Sequence, residues 1–141
     1  MDHQVIFQYV NIADLVFDEN SPRLPQTVRG KSEKEIINFF LFDESLIELM
    51  LAIGKNDFFA GEQLLVVQEE EKFKVIEGNR RLSAVKLLHN PEIANIYKNK
   101  VYQIVRESKF FPSEIPCLIF DDKDEILKYL GYRHITGIKS W

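Results

Sequence analysis

The feature that most constrains the fold is the stretch from residue 61 to residue 88, GEQLLVVQEEEKFKVIEGNRRLSAVKLL. Its two apolar segments, 61–68 and 72–77, contain β-branched and aromatic residues and are separated by acidic residues at 69–71. This pattern predicts a β-hairpin. Apolar residues with helical spacing follow over 80–89 and predict a helix. A chain with this segment must therefore place a helix directly at the end of a β-strand.

Further predicted elements flank this hairpin and helix. The β-branched and aromatic residues at 4–10 predict a strand, and residues 12–26 then pass into a loop marked by Asn20, Ser21, Pro22 and Pro25. Ser32 followed three residues later by Glu35 is a capping-box pattern, which predicts a helix start. The other predictions are a helix at 44–54 that ends at Gly54, a short helix from Pro91 to about Lys100, a strand at 114–120 and a helix at 122–131 that ends at Gly131. Together they predict an α+β fold, a small mixed β-sheet flanked by helices, in one domain over residues 1–141.

Composition and charge exclude several classes of protein. Of the 141 residues, 45% are hydrophobic and 28% are charged, which is typical of globular proteins and not of disordered chains. No apolar run reaches the roughly 20 residues of a membrane span, so we expect a cytoplasmic protein without membrane contact. Cys117 is the only cysteine, which excludes an internal disulfide and a cysteine-rich zinc site. The net charge of −4 indicates that this segment does not hold DNA by itself.

Arg80 and Arg81 stand at the wrong end of the predicted helix. A helix N-terminus carries a partial positive charge and free backbone N–H groups. Two arginines there are unfavourable by a few tenths of a kcal/mol, up to about 1 kcal/mol each. One interpretation is that they form ordinary ion pairs with Glu77 or Glu92, or lie in water, where such a pair contributes about 0–1 kcal/mol.

The turn before this helix favours a second interpretation, an anion site. Gly78 permits a close backbone approach or a positive φ, and Asn79 is a good N-cap residue. A phosphate or another oxyanion at this turn would accept hydrogen bonds from backbone N–H groups and from both guanidinium groups. Such a ligand would reverse the penalty of placing two arginines at a helix N-terminus.

The same stretch resembles a signature of the ParB/sulfiredoxin superfamily. VIEGNRRLSAVKLL is similar to the second signature box, in which a strand leads into a G-E-R-R-x-x-A helix. IADLVFDENSPRLPQ resembles the first box, a strand followed by an Asn-Pro-x-Gln-Pro-Arg loop, and IPCLIFDD resembles a later strand of the family. The resemblance covers the chain from residue 10 to residue 135 and implies a ParB/sulfiredoxin-like fold.

The resemblance implies a site for a nucleoside triphosphate. Members of the superfamily bind CTP or ATP at the strand-to-helix turn, and Mg²⁺ accompanies the nucleotide, although no residue pattern here singles out its ligands. The implied phosphate- and nucleotide-binding residues are Gly78, Asn79, Arg80 and Arg81 on the turn, Arg23 in the first-box loop, and Gln63 near the nucleobase. Position 79 is a cysteine in sulfiredoxins and usually Glu in partition proteins. Asn79 therefore excludes sulfinic-acid repair and departs from the partition-protein pattern.

A third family box falls near the end of the chain. The corresponding stretch, LGYRHITGIKSW, lacks the Glu-Asn pair of the partition proteins. Arg133 and His134 follow Gly131, and Thr136 or Gly137 would present a backbone N–H to a phosphate at the start of a further helix. The alternative is a surface turn in which Arg133 neutralises part of the acidic run DDKDE.

Three functions remain open from the sequence. The first is a domain that binds a nucleoside triphosphate in a DNA-related process, with slow hydrolysis if Glu77 positions a water molecule. The second is a DNA-acting, nuclease-like or DNA-modification-associated module that contacts DNA through other domains or partners, with a helical or DNA-binding region expected after residue 141. The third is a non-catalytic module that forms a homodimer when it binds a nucleotide.

Overall fold

The fold is built on a five-stranded mixed β-sheet. The computed structural model describes residues 4–22 and 24–135. The strands are β1 (Ile6–Asn11), β2 (Leu15–Phe17), β3 (Leu64–Glu69), β4 (Lys72–Glu77) and β5 (Glu114–Phe120), in the sheet order β1-β5-β3-β4-β2. β1 pairs with β5, and β3 with β4, in the antiparallel direction, whereas β5–β3 and β4–β2 are parallel pairs. The predicted α+β fold with a small mixed sheet is confirmed.

Helices pack on both faces of this sheet. They are α1 (Glu33–Leu41), α2 (Ser45–Asn56), α3 (Asn79–His89), α4 (Lys98–Glu107) and α5 (Lys123–Ile135), with single 3-10 turns at Ile12–Asp14 and Pro91–Ile93. Leu64 and Val66 of β3 belong to the main core, which includes buried side chains of α1 to α4. Leu65 points to the other face, where it packs with Ile126 of α5. No helix within the described ranges is long and apolar enough to cross a membrane.

The segment that precedes the first helix contains a short strand, which the family resemblance implied but the local apolar pattern did not show. Residues 15–17 form β2, which pairs in parallel with β4 so that Leu15 lies opposite Phe73 and Phe17 opposite Val75. Three residues are too few to show a period along the chain, and only the neighbouring strand provides hydrogen-bond partners. The capping box that begins α1 is confirmed, because the Ser32 hydroxyl accepts from the Glu35 N–H and the Glu35 carboxylate accepts from the Ser32 N–H.

The prediction of one short helix from Pro91 to about Lys100 is wrong. A 3-10 turn ends at Ile93, and Tyr97 takes a left-handed backbone conformation (φ 54°) before α4 begins at Lys98. The Asn38 amide donates to the Ile93 carbonyl and accepts from the Asn95 N–H, at 2.9 and 2.7 Å. A long-range contact therefore interrupts the helix, and residues adjacent in sequence cannot reveal it.

Two predicted helix ends at glycine are also wrong. Gly54 lies inside α2, where a Cβ would come within 2.8 Å of the Ser108 Cβ, so the glycine allows close packing and does not end the helix. Gly131 lies inside α5, which continues to Ile135. At both glycines the backbone stays helical, so each helix continues beyond the glycine.

Cys117 is fully buried on β5, and this permits a direct test of the fold. Burial raises the pKa of its thiol to about 12, and its Sγ donates to the Ile115 carbonyl. Because the thiolate is the reactive form, we expect essentially no alkylation by iodoacetamide at pH 8 in the folded protein and complete alkylation in denaturant. Mass spectrometry measures both states, and rapid labelling of the folded chain would contradict this placement of β5.

Candidate functional site

A cleft of about 450 Å³ opens where β4 passes into α3. Its floor is the strand-to-helix turn, and side chains of α1, α2 and the loop before α1 form the walls. The lining residues are Ser21, Leu24, Phe40, Leu49, Glu62, Ile76, Glu77, Gly78, Asn79, Arg80 and Arg81. The turn predicted to bind an anion therefore lies in a concave site.

The shape of this turn depends on a bulge and a glycine. The β3–β4 register shifts by one residue, since Val66 lies opposite Val75 while Leu65 lies opposite Glu77. Such bulges redirect the chain at the end of a ladder. Gly78 follows with φ 110°, and a Cβ there would collide with the Leu64 Cδ2 atom. The predicted positive φ of Gly78 is confirmed, and this position tolerates only glycine without strain.

Asn79 is the first residue of α3, and the prediction that it caps the helix is wrong. The N-cap residue is Gly78, and no side chain of the described residues caps the helix. The Asn79 Oδ1 is shielded from solvent and has no hydrogen-bond partner among the described residues. A buried acceptor without a partner costs about 1–3 kcal/mol. The helix N-terminus therefore combines uncapped backbone donors with an unsatisfied side-chain acceptor.

Arg80 extends from α3 to the start of α2. Its Nη1 lies 2.9 Å from the Asp43 Oδ2, with both side chains about half exposed. Asp43 also accepts from the Ser45 backbone N–H at 2.9 Å. The Ser45 backbone and hydroxyl, and then Arg80, hold the pKa of Asp43 below its usual value. The Asp43 carboxylate therefore stays ionised at neutral pH and holds Arg80 at the edge of the cleft.

Arg81 is the more enclosed of the two arginines. Its side chain is 21% exposed, and its Nη1 lies 2.9 Å from the Glu62 Oε1 in the loop before β3. The interpretation that both arginines pair with carboxylates is thus correct in kind, but the partners are Asp43 and Glu62. The residues named from the sequence, Glu77 and Glu92, are not the partners in these two ion pairs.

The other predicted residues are spread more widely. Glu77 lines the cleft at the end of β4. Gln63 is not among the lining residues, and its Nε2 donates to the Ala60 carbonyl at 3.1 Å. The guanidinium carbon of Arg133 lies 5.5 Å from the ring centre of Tyr129 on α5, and Arg133 is not among the residues that line the cleft. Arg23, the side chain of His134, Thr136 and Gly137 lie outside the described residues.

The cleft also contains residues that the sequence did not identify. Phe40 and Leu49 form apolar walls, and Glu62 and Asp43 hold the two arginines. Asp43 precedes the N-cap residue Glu44 of α2, and its carboxylate accepts from the N–H of Ser45, the first residue of the helix. Among residues 4–22 and 24–135, no cluster of three or more His, Cys, Asp or Glu side chains is arranged to hold a metal ion.

No protein-family model and no curated protein matches this sequence. Among solved structures, the chain is similar to the C-terminally truncated chromosome-partitioning protein ParB from Caulobacter crescentus, complexed with CTP-gamma-S. The TM-score is 0.50 at 13% sequence identity, over 96% of this chain and 55% of that chain. The fold is ParB-like. At this identity the likeness concerns the fold alone. The protein described here spans about half the length of the ParB chain it matches.

Proposed function

We propose that this chain binds a nucleoside triphosphate, CTP or ATP, with the phosphates at the N-terminus of α3. The observation that carries the proposal is the convergence of Arg80, Arg81 and the N-terminus of α3 on one cleft of about 450 Å³. That volume lies within the roughly 300–1,000 Å³ of small-ligand sites. The ParB-like fold adds support, because the similar ParB structure was determined with CTP-gamma-S.

The existing ion pairs do not prevent phosphate binding. The Arg80–Asp43 pair lies at the edge of the cleft in contact with solvent, and water screens the attraction between its two charges. A charge-assisted hydrogen bond to a phosphate oxygen contributes about 1.5–3 kcal/mol, and the helix N-terminus adds about 0.3–1 kcal/mol for a nearby anion. The balance favours transfer of the arginines to the phosphates, and Asp43 and Glu62 hold them close to the site until the ligand arrives.

The charges on the cleft wall favour a nucleotide that carries Mg²⁺. Among the described lining residues, Arg80 and Arg81 are balanced by Glu62 and Glu77. Carboxylates beside a triphosphate repel it unless a cation lies between them, and Mg²⁺ typically binds phosphates together with one or two carboxylates. Glu62 and Glu77 are the residues that would contact this ion. When bound, the ion would neutralise the negative charge between these carboxylates and the phosphates.

Asn79 gives the site a neutral acceptor. Its unsatisfied Oδ1 would accept a hydrogen bond from a hydroxyl, an amino group or a metal-bound water molecule of the ligand. A carboxylate in its place would add a third negative charge to the wall. The asparagine therefore reduces repulsion of the phosphates and keeps an oxygen acceptor at the same position.

Thermal unfolding tests the proposal. With Mg²⁺ and a nucleotide at about one hundred times its Kd, binding stabilises the fold by about 2.7 kcal/mol, a rise in Tm of roughly 5–15 °C. We expect this rise for at least one of CTP, ATP, GTP and UTP, and a much smaller one when EDTA removes the Mg²⁺. The nucleosides cytidine and adenosine are the matched controls. If none of the four nucleotides with Mg²⁺ raises Tm, the proposed function is wrong.

The biological setting and the catalytic step are proposals of the same kind. The ParB-like fold supports a DNA-related process, in which DNA contact comes from other domains or partners. A salt titration of DNA binding by this chain alone tests this. Strong binding that weakens steeply with salt would show that the chain itself contacts DNA phosphates. Light scattering with and without nucleotide tests for a nucleotide-dependent homodimer. Phosphate release by the wild type and by Glu77→Gln tests whether Glu77 positions water for hydrolysis.

A further inference from the structure

A second cavity, of about 240 Å³, adjoins the cleft beside the C-terminal end of α2. Its lining is mainly apolar and aromatic and includes a few polar side chains. The lining residues are Leu49, Ala52, Ile53, Asn56, Asp57, Phe58, Phe59, Glu62 and Arg81. Leu49, Glu62 and Arg81 line both the cavity and the cleft, so the two spaces share a wall.

One aromatic ring stands in an unusual position at this second cavity. Phe59 is 72% exposed, although most Phe side chains are buried in the core. The ring is nevertheless packed closely against Gly61, because a Cβ on Gly61 would lie 2.7 Å from the Phe59 Cε2 atom. The ring rests against the Gly61 backbone with much of its surface open. An aromatic side chain held in this way offers a flat surface on which a planar group can stack.

The backbone beside the ring is held in a strained conformation. Asp57 ends α2 with φ 74°, which is uncommon for a residue with a side chain. Its N–H donates to the Ile53 carbonyl at 2.8 Å, and its Oδ1 accepts from the Phe58 N–H at 2.7 Å. Strained residues of this kind are concentrated at ligand sites. The strain fixes the direction in which the chain leaves α2 and thereby the position of Phe58 and Phe59.

We propose that the second cavity holds the nucleobase of the bound nucleotide, stacked on Phe59. The inference rests on the proposed function, since it assigns one part of that ligand. A volume of about 240 Å³ lies below the roughly 300 Å³ at which small-ligand sites begin, so the cavity suits a part of a ligand. Arg81 borders both spaces and would contact the phosphates nearest the ribose. Asn56 and Asp57, which also line the cavity, supply polar groups for the base edge.

A comparison of two ligands separates the base from the phosphates. Mg²⁺-bound nucleoside triphosphate and Mg²⁺-bound inorganic tripolyphosphate share the phosphate chain, and only the first carries a base. We expect Phe59→Ala to weaken nucleotide binding about 5- to 150-fold, which corresponds to roughly 1–3 kcal/mol for one base on an aromatic ring. Tripolyphosphate affinity should not change. Isothermal titration calorimetry measures both affinities.

Matched variants show whether a lower affinity results from loss of the aromatic face or from loss of folding. Phe7→Ala removes a 49% exposed Phe on β1 that lines neither space, and it should leave both affinities unchanged. Phe59→Trp keeps an aromatic face and should retain nucleotide binding, whereas Phe59→Leu should not. Equal nucleotide affinity in Phe59→Ala and the wild type would overturn the base assignment alone, as would an equal loss for both ligands. If the wild type binds neither the nucleotide nor tripolyphosphate, both the proposed function and the base assignment are overturned.

Discussion

Replacing Arg81 by alanine is expected to weaken the binding of Mg²⁺-nucleotide by about 10- to 150-fold. The physical reason is the loss of a charge-assisted hydrogen bond to phosphate, which contributes about 1.5–3 kcal/mol. Arg80→Ala is expected to have a smaller effect, because Arg80 is 45% exposed and Arg81 only 21%, and solvent screens the more exposed charge. Calorimetry measures the affinities, and thermal unfolding shows whether each variant is folded.

Conservative variants distinguish an anion site from a structural ion pair. Arg81→Lys keeps the charge but loses the planar fork, and should bind with intermediate affinity. Glu62→Gln removes the carboxylate that competes for Arg81 at 2.9 Å, and tests whether that pair is needed for the fold. Arg106→Ala, an exposed arginine on α4 that does not line the cleft, is the remote control. Unchanged affinity in both Arg80→Ala and Arg81→Ala would show that the arginines serve only the fold.

Replacing Gly78 by alanine is expected to destabilise the fold by about 2–6 kcal/mol. A side chain at φ 110° costs about 1–3 kcal/mol, and the collision of the new Cβ with Leu64 adds about 1–3 kcal/mol. The turn must shift to relieve the contact, which moves the N–H groups at the start of α3. Urea denaturation measures the change in the free energy of unfolding.

Gly131→Ala is the matched control for this change. Gly131 lies inside α5 without a positive φ, and a Cβ there would meet no atom within 4 Å. Alanine in an exposed helix should stabilise it by about 0.5–1 kcal/mol. If Gly78→Ala were as well tolerated as Gly131→Ala, the described turn geometry would be wrong.

The strand-to-helix turn is the part of the candidate site that the sequence predicted well. Gly78, Arg80 and Arg81 are adjacent in the chain, so their juxtaposition needs no tertiary contact, and all three line the cleft. Asn79 lies at the turn as predicted, but it does not cap the helix. The capping preference of an asparagine is weaker than the demand of the bulged strand for a glycine at the N-cap position.

The carboxylates that pair with the two arginines could not be predicted from local patterns. Asp43 lies 37 positions before its partner Arg80, and Glu62 lies 19 positions before Arg81. The sequence offers many carboxylates, and only the tertiary structure selects these two, because it brings the turn before α2 and the loop before β3 next to α3. Tertiary packing also positions the cavity beside Phe59. In the sequence, Phe59 has no feature that distinguishes it from other apolar loop residues.

The sequence by itself determined the α+β class, the β3–β4 hairpin, the helix that follows and the accumulation of positive charge at that helix N-terminus. These features depend on residues within about ten positions of one another, where side-chain period, turn chemistry and capping act directly. Tertiary structure alone decided the parallel pairing of β2 with β4, the interruption of the chain before α4 and the carboxylates that hold each arginine. Those outcomes depend on partners far apart in sequence, whose hydrogen bonds and ion pairs form only when the sheet and helices have packed.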